Sequence, residues 1–451
     1  AVGNFIAMLD STTVNLALYP MSVDLHVTMG QIQWVMIAYM LVLTVFLPFF
    51  GKLGDIFPKN KLYSIGFGIF ALGAFLNTTA GSFGLLIAYR CLEALGASIM
   101  LSNAQAIIAT IFKNERRKAL GLNCCLVAIG GMSGPALGGI LINSFGWHSV
   151  FIPCIPVALI GAYYAYKVLP HHAKIDITNF KFDYKGFIYF TISLFALLLA
   201  ISEGHSWGWN SLKIISLGII TLIFGILFYI RDHKINYPLI NFSMFKIKPF
   251  TFGNLAVMTS YMAMYTNSIL LPFFLQEILK YNALVTGLLI LPYSVTLSFI
   301  APIAGRLSGK YGSRQLTIAG PILYCIALLL FTIYNKNVAM WQIVFASGLM
   351  GIGNGLFQSP SNNAIMTSVQ KHEVGIASGI LALSRNMGNI LGVAVTITLF
   401  ETFRNIFIES GKLYDLAFLF SYRTTMCFGI LFGLSCLTFA YIAYKPHKTT
   451  H

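Results

Sequence analysis

Apolar runs of about 20 residues follow one another along this chain almost without a break, and that recurrence limits its possible folds more than any other feature. Each run is long enough to cross a hydrocarbon core of about 30 Å as a helix. None shows the polar–apolar alternation that a transmembrane strand requires. Lipid offers no partner to a free N–H or C=O, so runs of this kind predict an all-α membrane protein. Of 451 residues, 57% are hydrophobic and only 10% are charged, against about a quarter charged in soluble domains. The pattern predicts fourteen spans, at about 1–20, 31–50, 62–80, 84–110, 119–143, 148–168, 184–203, 211–231, 250–275, 284–304, 315–334, 338–366, 374–402 and 421–444.

The net charge is +15, from 29 Lys and Arg against 14 Asp and Glu. In a soluble protein such a balance would point to nucleic acid. Here 21 of the basic residues follow even-numbered spans or lie at the C-terminus, six follow odd-numbered spans, and Arg90 and Arg385 are left inside spans. That bias predicts that both termini are cytoplasmic. The first run lacks a basic leader and an Ala-x-Ala site, and it reads as a span rather than a cleavable signal. The seven cysteines all fall within apolar runs with no CxxC pair, as packing residues do.

The chain repeats itself. GKLGDIFPKNKLYSIG, starting at Gly51, returns as GRLSGKYGSRQLTIAG, starting at Gly305. The same offset of 254 carries Gly66 onto Gly320, Gly121 onto Gly375, Gly134 onto Gly388 and Gly138 onto Gly392. The expected organisation is a six-helix bundle over 1–168, two inserted helices over 184–231 and a second six-helix bundle over 250–445. Repeated halves around a midplane site are a transporter signature.

Charges inside spans mark candidate sites. Asp10 sits in the middle of FIAMLDSTTVNLALYP, where a charge costs roughly 2.5–3.5 kcal/mol on insertion scales. Burial and a nearby cation pull a carboxyl's proton affinity in opposite directions, so a carboxyl held between them can exchange protons near neutral pH. The alternative is a structural aspartate bonded to Ser11, Thr12 or a helix end. Arg90 and Glu93 are three residues apart, so they share a helix face and can pair. At 1.5 Å per residue, Glu93 lies about 14 Å below the outer end of its span and Asp10 about 15 Å below Pro20.

Five motifs carry a family resemblance. LDSTTVNLALYP in the first span, GKLGDIFPKNK after the second, RCLEALGAS in the fourth, GGMSGPALGG in the fifth and SRNMGNILGVAV in the thirteenth together resemble the 14-spanner drug:proton antiporters of the major facilitator superfamily. The resemblance covers nearly the whole chain. It implies a major facilitator fold of 14 transmembrane helices in a bacterial cell membrane, and a proton-coupled multidrug efflux antiporter working by alternating access. In that fold spans 1 and 4 line the cavity, so a coupled cluster of Asp10, Glu93 and Arg90 is expected. Glu93 stands where the family carries glutamine and adds a second titratable group. The alternative is a static Arg90–Glu93 pair with Asp10 acting alone.

The resemblance also assigns conformational roles. Gly130, Gly134, Pro135, Gly138 and Gly139 belong to the fifth-span motif that marks antiporters, where small residues allow close helix approach and proline interrupts the backbone ladder. Gly51, Asp55 and Lys59 belong to the loop that latches the two halves, although Pro58 replaces the family's glycine and Gly309 replaces the aspartate in the second copy. Asn15, Gln33, Trp34, Tyr39, Asn103, Gln105, Tyr261, Tyr265, Asn354 and Gln358 are candidates to line the drug pocket, with aromatics favouring flat cations. For Arg385 three readings stay open: backbone carbonyls, a zwitterionic drug's carboxylate, or water.

The expected cycle exports lipophilic cationic or zwitterionic drugs. An external proton neutralises Asp10 or Glu93 and releases the drug, and drug rebinds once the proton has left to the cytoplasm. No cofactor is expected beyond the proton gradient, and no P-loop occurs. The expected partners are small-molecule drugs, protons and the bilayer, with no nucleic acid and with a monomer sufficing. No catalytic or metal-binding residue is assigned. HHAKID, starting at His171, matches a six-residue acyltransferase pattern but lacks the glycine that usually follows. The alternative within the class is a transporter of one metabolite. The short loops, about 15–20 residues at most, disfavour a membrane enzyme or sensor.

Overall fold

The computed structural model describes residues 2–54, 57–111, 116–169, 183–235, 240, 242–370 and 374–444. Among them are fourteen long helices: α1 Val2–Asp24, α2 Trp34–Leu53, α3 Lys59–Asn77, α4 Phe83–Ile111, α5 Arg116–Phe145, α6 Cys154–Val168, α7 Tyr184–Trp207, α8 Leu212–Lys234, α9 Lys248–Phe273, α10 Ala283–Tyr311, α11 Ser313–Thr332, α12 Met340–Thr367, α13 Val374–Glu409 and α14 Tyr414–Ala443. No strand is present among the described residues. Eleven of the segments are long and apolar enough to span a bilayer by length and composition alone. The other helices, α1, α3 and α9, carry more polar residues, including Asp10, Asn60, Asn77 and Asn254.

Helix ends follow local chemistry. A short turn, Met29–Ile32, joins α1 to α2 and is closed by a capping box, in which Gln31 N–H donates to Thr28 Oγ1 (3.2 Å) and Thr28 N–H donates to Gln31 Oε1 (3.0 Å). Gly146, at φ +79°, makes a left-handed turn out of α5 that a side chain would strain. The turn presents Trp147, whose indole N–H reaches Asp24 Oδ2 at 2.8 Å and ties down the end of α1.

The described chain forms two compact units. The first comprises 1–200, 210–239 and 275–288. In it α1 packs on α5, α2 on α4, and α3 on both α4 and α6. The second comprises 201–209, 240–274 and 289–451. In it α9 packs on α13 and α14, and α11 packs on α12 and α14. The pairings α1–α5, α3–α4 and α3–α6 thus recur as α9–α13, α11–α12 and α11–α14.

Glycines set the tightest of these contacts. A Cβ on Gly96 would fall 2.7 Å from the Gly66 carbonyl oxygen, and one on Gly353 would fall 2.8 Å from that of Gly320. The same glycine-to-glycine approach therefore draws α3 to α4 and α11 to α12. In lipid, where apolar burial between helices gains little, such close packing is a main source of association. By contrast α8 buries only Ile214, Phe228 and Asp232. The Ser193 hydroxyl donates to the Thr221 carbonyl (2.9 Å), which joins α7 to α8. Arg231 Nε also reaches Asp183 Oδ1 at 2.6 Å, beside the Gly186 N–H that the same carboxylate caps at 2.9 Å.

Candidate functional site

The first unit brings three charged side chains into contact. Asp10 on α1 and Arg90 and Glu93 on α4 are all fully buried, at 0% exposure. One guanidinium nitrogen, Arg90 Nη1, donates to Asp10 Oδ1 (3.0 Å), Asp10 Oδ2 (2.9 Å) and Glu93 Oε2 (2.7 Å). The three-residue spacing puts Arg90 and Glu93 on one helix face. The contact with Asp10 bridges 80 residues of sequence and exists only through packing. An arrangement in which Arg90 and Glu93 pair while Asp10 stands apart does not describe this geometry.

Neighbouring groups hold the cluster. Tyr39 on α2 lies under the guanidinium, with the Arg90 carbon 4.3 Å from the ring centroid, and Phe151 lies 5.7 Å from it. Cation–π contact of this kind gains strength in a desolvated site. Asn77 on α3 donates Nδ2–H to Glu93 Oε2 at 2.7 Å. One turn earlier, a Cβ on Gly73 would lie 2.6 Å from the Glu93 backbone nitrogen and α-carbon. Gly73 thus lets α3 lie directly against the backbone that carries Glu93. Among the described residues, Arg90 Nε and Nη2, Glu93 Oε1 and Tyr39 Oη are buried without a hydrogen-bond partner. Buried polar atoms left in this way each cost about 1–3 kcal/mol, so the cluster is held under-satisfied by its scaffold.

Gly73 and Asn77 escaped the sequence analysis. A helix face shared by residues four apart was legible, but its position opposite Glu93 was not. Gly73→Val is expected to force α3 away from α4, lowering the thermal midpoint and cutting transport at least tenfold. The basis is overpacking against backbone, which typically costs about 1–3 kcal/mol. A variant with wild-type melting and transport would show that the close approach is dispensable.

The fifth-span glycines lie where α5 clasps α1. Added Cβ atoms on Gly130, Gly134 and Gly138 would meet Phe5 O (2.6 Å), the Thr12 side chain and Thr13 Cα (3.3 Å), which flank Asp10. On the same helix, a Cβ on Gly139 would meet Ala283 O at 2.8 Å, and one on Gly287 would collide with the Pro135 carbonyl. Segment 275–288 of the first unit therefore lies backbone-close to α5, and its Gln276 Nε2 reaches Leu16 O at 3.3 Å.

Other candidates are placed as follows. Asn103 braces α4 to α2 through Phe50 O (3.2 Å) and also bonds Ile99 O (2.9 Å). Gln33 is buried in the turn before α2 and donates to Gly30 O at 2.7 Å. Asn15 and Trp34 are half-buried. Gly51 is on α2 and Lys59 begins α3, whereas Asp55 and the segment His171–Asp176 lie outside the described residues, as does the side chain of Gln105. In the second unit Gln358 Nε2 donates to Tyr261 Oη (2.9 Å), Asn354 Nδ2 donates to Tyr293 Oη (3.1 Å) and Tyr265 is buried.

A multi-spanning helical membrane protein built from two similarly paired units, with a charge cluster buried in one of them, is the architecture of a small-molecule transporter. The Major Facilitator Superfamily profile matches residues 1–230 and 253–450, and the chain belongs to that family. It is 34% identical to the riboflavin transporter RibZ of Clostridioides difficile, over 95% of this chain and 93% of that protein. It is 29% identical to the multidrug resistance protein Stp of Mycobacterium tuberculosis, over 87% and 73% respectively. It is also 26% identical to a methylenomycin A resistance protein of Bacillus subtilis, over 88% and 85%. Among solved structures, a bacterial homolog of the human lysosomal transporter Spinster shares the fold, with a TM-score of 0.73 at 15% identity over 98% of this chain and 94% of that one.

Proposed function

We propose that the protein is a proton-coupled exporter of lipophilic cationic or zwitterionic compounds, working by alternating access. The observation that carries this reading is the joint hold of Asp10 and Glu93 on one nitrogen of Arg90. With both carboxylates ionised, the trio bears one net negative charge in a fully buried place. A low-dielectric site strongly favours neutrality. One proton supplies it, and so does one cationic group of a ligand. The two then exclude each other, which is the requirement of an antiporter. Resistance proteins at 26–29% identity support export of toxic compounds.

The test is ethidium movement in proteoliposomes under an imposed pH gradient, with lumenal pH followed at the same time. Gradient-driven dye accumulation and dye-induced proton release are expected. A protein that moves no cationic dye and no protons on dye addition would rule the reading out.

One observation favours a second reading. The riboflavin transporter is more similar, and over more of the chain, than the resistance proteins. A carrier of a single flavin-like metabolite would show saturable riboflavin transport that ethidium does not compete away, whereas a multidrug exporter would show the reverse preference.

A further inference from the structure

The second unit contains an arginine, Arg385, with no ion-pair or hydrogen-bond partner among the described residues. Arg385 stands eleven residues into α13, about 16 Å along the helix, and lies inside the membrane-spanning segment of 33 residues, about a quarter of the way from its start. An arginine at that depth is costly and rarely left alone. The other arginines of this unit are accounted for. Arg404 pairs with Glu401, Arg423 donates to the Tyr334 carbonyl at 3.0 Å, Arg314 lies over the Tyr441 ring and Arg306 is exposed. Arg385 makes no ion pair and no carbonyl contact among the described residues, and its Nε is buried without a hydrogen-bond partner.

Two described acids of this unit are not at hand for Arg385. Glu401 is sixteen residues further along the same helix, about 24 Å away, and Asp415 holds Lys336 at 2.5 Å. Several polar, uncharged side chains lie near Arg385 among the described residues. A Cβ on Gly388 would meet Tyr261 Cβ at 2.8 Å, so α13 approaches α9 closely there and brings Tyr261 within electrostatic reach of Arg385. Gln358 steadies that tyrosine, and Ser384 bonds Asn254 at 3.1 Å rather than the arginine. One turn on, Asn389 also keeps a buried amide oxygen without a partner among the described residues. The side chain is half-buried, so part of the guanidinium remains reachable.

We propose that Arg385 is an anion subsite of the second unit and that it takes the carboxylate of a zwitterionic or acidic organic ligand. The ligand class rests on the transport reading above, and the subsite itself rests on the unpaired guanidinium. A guanidinium offers two parallel N–H donors to a carboxylate, a geometry that lysine cannot reproduce.

The test uses the purified full-length protein and two probes, a rhodamine with a free carboxyl group and its methyl ester, which differ only at that group. Binding is measured by fluorescence anisotropy with no gradient, for wild type, Arg385→Gln and Arg385→Lys, with thermal melting as a check on folding. The wild type is expected to bind the acid more tightly than the ester. Arg385→Gln should lower the acid-to-ester affinity ratio about tenfold or more, the size of one charge-assisted pair. Arg385→Lys should lower it less, and it supplies the reading if the glutamine variant does not fold. An unchanged ratio in a folded variant, or a wild type that does not prefer the acid, would overturn the subsite. Because no gradient is used, an unaltered ratio alongside intact dye efflux refutes only the subsite, and lost efflux with the expected ratio shift refutes only proton coupling.

Discussion

In proteoliposomes with an imposed pH gradient, Asp10→Asn and Glu93→Gln are each expected to cut gradient-driven dye transport at least a hundredfold, while both variants still fold. The reason is charge counting within one buried cluster. Each amide removes one negative charge and leaves Arg90 opposite a single carboxylate, so the trio is already neutral without a proton. Neither a proton nor a cationic ligand is then needed to neutralise it, and the exchange between them stops. The amides keep the size of the acids, so the helices around them need not move. Downhill dye leak under zero gradient should survive better than uphill transport, which separates lost coupling from lost binding. If Glu93→Gln couples as the wild type does, Glu93 is only a structural partner of Arg90 and Asp10 alone carries the exchange. If both variants couple normally, the cluster is not the coupling site.

Arg90→Ala is expected to have the larger structural effect. It leaves two carboxylates buried at 0% exposure with their shared cation gone. Breaking a buried ion pair by removing one partner typically costs about 3–5 kcal/mol, because the remaining charge stays buried and uncompensated. Tyr39 and Phe151 also lose the guanidinium that packs on their rings. The variant should therefore yield little folded protein at neutral pH, with a clearly lowered melting midpoint. A triple variant, Asp10→Asn with Arg90→Met and Glu93→Gln, removes every charge together and should recover much of the stability without recovering transport. Stable protein from Arg90→Ala alone would mean that the two acids are not both ionised against it, and the counting above would fail with it.

Much was legible before any coordinate was known. The length and apolarity of the runs, the constant offset of 254 between repeated segments and the intramembrane positions of Asp10, Arg90, Glu93 and Arg385 are properties of the sequence. They led to a helical, repeated transporter because lipid forbids an unpaired backbone and penalises idle charge. The i,i+3 pairing of Arg90 with Glu93 followed from helix geometry alone. Three things were decided only by tertiary structure. The first is that Asp10 shares Nη1 of Arg90 with Glu93. The second is that Gly73 and Asn77 back the same glutamate from α3, and the third is that Asn103 ties α4 to α2 through the Phe50 carbonyl. Helix periodicity tells which residues of one helix share a face. It does not tell which face of another helix will lie opposite, because that depends on how glycines such as Gly96 and Gly353 let backbones approach.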